Sequence, residues 1–436
     1  MKKFHTGSHD LPVTPELEEF MRHGWLDSEL DPAIEDVASY AAQRRQKLAD
    51  AFPGQRLVIR AGELKQRSND QNYRFRPHSN YVWLTGDQSS DGVVVIEPDS
   101  ESTLYVRPRS SRDNGEFFRD RKYGELWAGR RATLGETSKR LGIRTRHIDD
   151  FDGAEPENPD LATVLAELRL VKDPWEIAQL EDAVAITTRG FEDVVRALPQ
   201  RLGERHLEGV FWQRARLEGN DVGYHTIAAA GAHAATLHWI DNDGPLTDGD
   251  LLLLDAGAEN RNLYTADVTR ILPISGHFTP LQRDLYELCR AGNDAALETL
   301  KPGRSYRDFH RAAMQVFAHG LADLGILPCS AEEALETGVY RRWTLCGSGH
   351  MLGLDVHDCG QARASEYLDG YLAENHVLTV EPGIYFQPDD GLIPAELRGM
   401  GFRIEEDILI TAEGYRILSD QLPRTAAEVE SWMHQM

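Results

Sequence analysis

Leu251-Leu-Leu-Leu-Asp-Ala-Gly-Ala-Glu259 runs four leucines into a carboxylate, and Tyr264-Thr-Ala-Asp-Val-Thr-Arg270 sets a second carboxylate, Asp267, twelve residues after the first. An apolar run bounded by Asp248-Gly-Asp250 and Ala256-Gly-Ala258 reads as a buried strand between turns. Carboxylates at the ends of core strands are expensive unless something neutralises them. A metal ion is the commonest solution, so the rest of the chain must be searched for further ligands.

The totals narrow the possibilities. The 436 residues are enough for two or three domains, and 41% hydrophobic with 27% charged residues describes an ordinary globular chain. Seventy-one acidic against 47 basic residues give a net charge of −24. That disfavours nucleic acid or an anionic membrane as partner, since both require a positive field. Cationic ligands, such as metal ions or a peptide's amino terminus, are the opposite expectation. Cys289, Cys329, Cys346 and Cys359 are scattered with no Cys-x-x-Cys pair, against a zinc ribbon or a thioredoxin-like motif. Met1-Lys2-Lys3 leads into polar residues with no apolar signal core, and no run approaches a membrane span. The simplest location is cytoplasmic.

Along the chain, residues 1–33 read as a polar, acidic extension. Pro32 at a first helical position should open a helix closing at Phe52-Pro53-Gly54. Strands are expected at Arg56–Arg60, Tyr81–Thr85, Gly92–Glu97 and Ser102–Val106, with helices around Gly124 to Leu141. Residues 34–172 thus make a smaller α/β domain. Asp173-Pro174-Trp175-Glu176 is an N-cap, N1 and N3 pattern starting a long helix, which puts the second domain at 173–436.

That second domain carries the remaining candidates. Cys346-Gly-Ser-Gly-His350 gives an imidazole a small, glycine-rich approach, and His357 follows seven residues later. Val380-Glu381-Pro382-Gly383 ends an apolar strand in a carboxylate, and Arg403-Ile404-Glu405-Glu406-Asp407 supplies another. Singly, an Asp at a strand end is usually a cap, and a lone histidine is usually a satisfied core or surface residue. Glu405 could sit on a solvated face paired with Arg403. Together they balance: Asp255, Asp267, Glu381 and Glu405 carry four negative charges, which two divalent cations would cancel, and His350 adds a neutral nitrogen. Such an oxygen-rich set suits Mn2+, Co2+ or Zn2+ better than copper. Two metals about 3.5–4 Å apart can share a hydroxide nucleophile and clamp a carbonyl oxygen.

These strings resemble the metal signature of the methionine aminopeptidase, prolidase and aminopeptidase P superfamily, whose catalytic domain is the pita-bread fold. His350-Met-Leu-Gly-Leu-Asp-Val-His357-Asp358, Val377-Leu-Thr-Val-Glu-Pro-Gly-Ile-Tyr385 and Arg403-Ile-Glu405 are most similar to aminopeptidase P. So are Tyr73 to Gly86 and Trp127-Ala-Gly-Arg-Arg131; the likeness spans roughly residues 34 to 425. The fold expected is therefore α/β (α+β), a pita-bread domain behind a smaller N-terminal one. The resemblance implies that Asp255 chelates one metal ion, that Asp267 and Glu405 bridge two, most simply Mn2+, and that His350 and Glu381 complete the second. Glu381 would also shuttle a proton. His238 and His357 would face the substrate carbonyl, Arg403 would orient the carboxylates, and Tyr385 would wall the proline pocket. The resemblance also implies a homodimer or homotetramer whose N-terminal domains approach neighbouring active sites, with Trp127 a candidate substrate-binding contact there. The implied activity is release of the N-terminal residue from peptides with proline second, by a metal-bridging hydroxide. The alternatives are an X-Pro dipeptidase (prolidase) and a non-catalytic pita-bread binding module. Three departures stand out: the Asp255–Asp267 spacing is one residue longer than usual, Cys346 stands where the family usually has histidine, and the family's pocket arginine has no clear counterpart, Arg363 being the nearest guess.

Overall fold

A computed structural model describes residues 4–7, 9–26 and 30–436. The chain divides into two compact units, Met1–Leu161 and Ala162–Met436. Of the acidic extension, residues 1–3, 8 and 27–29 lie outside the described residues, and a short helix, Pro15–Phe20, is capped by Thr14.

The first unit is built on a four-stranded sheet in the order Leu57–Arg60, Val93–Ile96, Ser102–Val106, Arg144–His147. The first three strands run antiparallel and the last parallel. Its opening helix begins later than Pro32 suggested. It spans Val37–Ala51, because the Glu35 N–H is already taken by the Arg140 carbonyl (2.9 Å) before the helix starts. A second difference is larger: Tyr81 to Thr85, expected as a strand, forms the helix Ser79–Thr85. Every residue in it is buried, so the apolar run carries no periodicity to tell helix from strand. The ends decide, with the His78 ring accepting from the Asn80 N–H and Gly86 closing the helix at φ 72°.

The second unit repeats a simple theme of two helices followed by antiparallel strands. Pro174–Ala197 and Glu204–Glu218 precede a sheet in which Leu251–Ala256 lies between Ile227–Ala230 and Val268–Pro273. Pro280–Leu297 and Asp308–Asp323 precede a sheet in which Glu406–Thr411 lies between Val377–Val380 and Gly414–Ile417. Gly383–Phe386 and Met400–Arg403 form a further antiparallel pair. Asp173, as its sequence pattern anticipated, and Thr279 each close a full capping box on a helix with Pro in its first turn. Leu251 to Leu254 are at most 4% exposed, and burying each leucine contributes about 1.5–3 kcal/mol. That burial lets the strand carry Asp255 into the interior. No helix of the described residues is long and apolar enough to cross a membrane.

One loop of this unit has a predictable acid sensitivity. Asp390 accepts two bonds from Arg342 (2.9 Å each), one from the Trp343 indole (3.1 Å) and one from the Leu392 N–H (2.9 Å). Arg342, then these other donors, hold its carboxyl at about 2, below the unfolded value of 3.8. Its stabilisation is therefore complete above about pH 4 and fades as the pH falls toward 2. The Tm difference between wild type and Asp390→Asn is expected at pH 6 and should vanish near pH 2. A difference independent of pH would remove the carboxylate from the explanation.

Candidate metal centre and active site

The predicted carboxylates reach the centre from within or beside strands, and His350 from a loop. Asp255 sits on the central strand, opposite Thr269 and Ile227. Gly257 then allows the Ala266 carbonyl to come so close that a Cβ would lie 1.6 Å from its oxygen, which draws Asp267 alongside Asp255. The extra residue of spacing is taken up in a turn in which Leu263 adopts φ 69° and donates to the Asn260 carbonyl (3.0 Å). Gly349 serves the same purpose before His350, since a Cβ there would lie 2.1 Å from the Thr379 carbonyl oxygen. Glu381 directly follows the strand Val377–Val380, and its N–H donates to the Ser348 carbonyl (2.9 Å). Glu405 occupies the break between Met400–Arg403 and Glu406–Thr411, not a continuous strand.

The side chains converge. One ligand atom from each of Asp267, His350 and Glu405 lies within 4.8 Å of the others. His350 Nε2 is 3.3 Å from both Asp267 Oδ2 and Glu381 Oε1, while its Nδ1 faces the Met351 carbonyl at 3.1 Å. The carbonyl can only accept, so in a neutral ring the proton sits on Nδ1 and the Nε2 lone pair points at two carboxylates. Something positive has to stand among these acceptors: a proton on Nε2 in the metal-free protein, or a divalent cation in its place. Glu405 makes the same case: it is 1% exposed, Oε2 accepts from the Thr269 hydroxyl (2.7 Å), and Oε1 has no hydrogen-bond partner among the described residues. The Tyr224 hydroxyl approaches both Asp255 Oδ1 (2.5 Å) and Asp267 Oδ1 with one proton to give. The chemistry of this donor set, four carboxylates and one imidazole lone pair, fits divalent cations.

Electrostatics agree. Burial, opposed by His350 and reinforced by Asp255, raises the Asp267 carboxyl to about 6, and burial and then Asp267 push Glu405 well above the usual carboxylate range. Burial also acts on His350, but its bonds to Asp267 and Glu381 outweigh it and hold the ring well above its ordinary value. Glu381 is buried too, yet His350 and then Arg403 keep it below the ordinary value.

The remaining candidates surround this core. The Arg403 side chain is almost fully buried; it donates to Asp255 Oδ2 (2.5 Å), to the Tyr385 hydroxyl (2.7 Å) and to Thr269 Oγ1 (3.1 Å). It therefore does not pair with Glu405 on a solvated face, and Glu405, Glu406 and Asp407 are all buried. Tyr385 is 5% exposed, with its hydroxyl committed to Arg403. The His357 ring packs edge-on against His350 at 4.3 Å, and burial followed by the His350 charge lowers its pKa. His238 is exposed and close enough to act on His357. Its loop is pinned by the buried Glu204, which accepts from the Ala230 and Gly244 N–H groups, His233 and the Trp239 indole. Four donors satisfy that carboxylate, so the Glu204, His233 and Asp243 group has no need of an ion. Trp127 belongs to the first unit, half exposed, with the Arg121 guanidinium 4.6 Å from its ring. Arg363 is mostly exposed and paired with Glu167 (2.6 and 2.7 Å), outside the centre.

Sequence reasoning passed over four contributors. Thr269 and Thr379 each lie two residues from a predicted ligand on the same strand face, a period-two signal that could have found them. Thr379 Oγ1 accepts from the His350 N–H (3.1 Å) and lies 3.3 Å from Glu381 Oε1. Asp407, which accepts from the Asp267 N–H (3.1 Å), also lies two residues from a predicted ligand, Glu405, whereas Tyr224, arriving from a loop 31 residues before Asp255, left no such signal.

Fold and site together define a metallopeptidase: residues 178–412 match metallopeptidase family M24, and residues 41–158 match the aminopeptidase P N-terminal domain. The chain is 50% identical to Xaa-Pro aminopeptidase 2 of Streptomyces coelicolor, covering 97% of this chain and 96% of the relative. It is 30% identical to the Xaa-Pro aminopeptidase of Escherichia coli K12, covering 90% and 96%. Aminopeptidase P from E. coli with the inhibitor Pro-Leu superposes with a TM-score of 0.83 at 28% identity, covering 94% of this chain and 99% of that one. Pseudomonas aeruginosa aminopeptidase PepP superposes at 0.82 and 29% identity, covering 92% and 99%. The chain belongs to metallopeptidase family M24, in its aminopeptidase P branch, and is a metallo-aminopeptidase with the pita-bread fold.

Proposed function

We propose that this enzyme removes the N-terminal residue from peptides whose second residue is proline, using two divalent cations, most simply Mn2+. The observation that carries the reading is His350 Nε2 set 3.3 Å from both Asp267 and Glu381, beside Glu405 Oε1, which has no hydrogen-bond partner among the described residues. Asp255, Asp267, His350, Glu381 and Glu405 would hold the cations, which when bound supply Lewis-acid charge to activate water and polarise the scissile carbonyl.

The protein's own groups do the rest. Glu381 takes a proton from the attacking water and delivers it to the leaving nitrogen. The amide before a proline has no N–H, so that nitrogen must receive its proton from the enzyme rather than lend one to binding. His357 and His238 donate to the oxygen that gains charge as the carbonyl becomes tetrahedral. Arg403 fixes the Asp255 carboxylate, and Tyr385 and Thr269 fix Arg403, so we assign Tyr385 to positioning ahead of lining the proline pocket. The catalytic module begins, in this reading, at the helix capped by Asp173. A homodimer or homotetramer with Trp127 at a contact belongs to the same reading, checked by analytical ultracentrifugation of wild type and Trp127→Ala.

Metal-stripped protein reconstituted with manganese should cleave an X-Pro-Y tripeptide. Cleavage of the X-Pro dipeptide alone would make it a prolidase. Failure on both, with metal bound, would favour a binding module.

A further inference from the structure

Beside the metal centre lies a cavity of about 400 Å³ whose lining includes Arg307, His310, Arg311, Arg341, Cys346 and Ser348. It shares a wall with the centre. Residues 346–349 form that wall and lead directly into His350, and the Ser348 carbonyl accepts the Glu381 N–H. Cys346, at the rim, is close enough for Glu381, Arg403 and His350 to act on its thiol. His310 faces Ser348 Oγ at 2.9 Å.

The cavity's charge is unusual for a chain with a net charge of −24. Arg307 is paired with Asp369 (2.7 Å) and Arg311 with Asp308 (3.4 Å), but Asp308 is shared with Arg304 (3.3 Å). Arg341 has no ion pair among the described residues. The positive charge is not cancelled locally: burial, then Arg341, Arg307 and Arg311, hold the His310 pKa below its ordinary value. An aminopeptidase substrate brings an ammonium group at its N-terminal end, which this cavity repels. The anionic group such a peptide can offer lies on the other side of the scissile bond.

We infer that the cavity is an anion subsite on the leaving side, recognising a carboxylate one or two residues beyond the proline. That carboxylate is the C-terminus of a short peptide or an acidic side chain in a longer one. The inference rests on the aminopeptidase reading above, and it makes Arg341, Arg311 and Arg307 specificity determinants rather than catalytic residues. Guanidinium–carboxylate bonds are charge-assisted, so the selectivity should be measurable and salt-dependent.

Two peptide pairs separate the sources: Ala-Pro-Ala against its C-terminal amide, and Ala-Pro-Glu amide against Ala-Pro-Gln amide. With the manganese-loaded enzyme, kcat/KM should favour the anionic member by about tenfold in at least one pair. The pair that responds identifies the source. Arg341→Gln combined with Arg311→Gln, both at exposed positions, should bring that ratio to about one, with Tm confirming the fold. A wild-type ratio near one in both pairs, or an unchanged ratio in the variant, overturns the inference. Calorimetric binding of Pro-Ala and Pro-Ala amide reads the subsite without turnover. A binding preference for Pro-Ala without hydrolysis of any Xaa-Pro peptide sinks the activity reading alone. Hydrolysis without preference in either assay sinks the subsite alone.

Discussion

Glu405→Gln is expected to lower kcat/KM on an X-Pro-Y tripeptide by about 10³-fold or more, while raising the Tm of the metal-free protein. Both effects follow from one geometry. Glu405 is 1% exposed, its Oε2 is held by Thr269, and its Oε1 has no partner while Asp267 and Glu381 stand nearby. In the proposed site, with cations present, the substitution would remove one ligand charge. A single preorganised hydrogen-bond donor in an active site is already worth about 10²–10³ in rate, so a lost ligand charge should cost at least that. Without cations, burial and the neighbouring carboxylates disfavour the Glu405 charge, and a neutral amide of the same shape avoids that cost and can donate to an acceptor. Metal analysis, peptide kinetics and calorimetry of stripped and loaded protein check both halves. Activity within tenfold of wild type would end the ligand assignment. A fall in the metal-free Tm would end the electrostatic account. Asp267→Ala should abolish hydrolysis likewise, with the far-ultraviolet circular dichroism unchanged.

Arg270→Ala is expected to destabilise the fold by about 3–5 kcal/mol, the range for breaking a buried ion pair from one side. Arg270 and Glu406 are both fully buried, and the guanidinium meets the two carboxylate oxygens at 2.9 and 3.0 Å. It also donates to the carbonyls of Thr269 (2.9 Å), Glu405 (2.7 Å) and Pro423 (2.8 Å). Truncation leaves Glu406 with Arg424 at 3.1 Å and Ser419, and leaves four carbonyls, that of Leu422 (3.4 Å) included, without this donor. Because one of those carbonyls belongs to Glu405, metal affinity should fall as well. Urea denaturation should show a lower midpoint with an unchanged m-value. Replacing both partners, Arg270→Met with Glu406→Leu, should recover much of the loss, since no charge is then left unpaired. A loss under about 1 kcal/mol for Arg270→Ala would show that the interior accommodates the lone carboxylate by other means.

The pair Arg270 and Glu406 also illustrates what the chain does not announce. In the sequence, Glu405-Glu406-Asp407 looks like a charged run fit for solvent, and all three are buried with different partners. Glu405 faces the metal centre, Glu406 meets Arg270, and Asp407 receives the Asp267 N–H. Neighbours in sequence become separate devices because the strand starts at Glu406 and the chain breaks at Glu405. The helix Ser79–Thr85 is a comparable case. Its apolar run suits a strand equally well until His78 and Gly86 are seen to cap it.

What the sequence by itself determined was the set of positions where burial and charge collide. A carboxylate ending an apolar run, as at Asp255 or Glu381, needs a counter-charge wherever the strand goes, so local pattern suffices to mark it. Much of the order of helices and strands was legible too, through runs, caps and turns, with Tyr81 to Thr85 the exception. Only the tertiary structure decided which distant groups complete those positions. Tyr224 reaches Asp255 and Asp267 from a loop, and Arg341 joins Arg307 and Arg311 across 34 and 30 residues around one cavity. Their chemistry depends on distance in space, and no local pattern carries that.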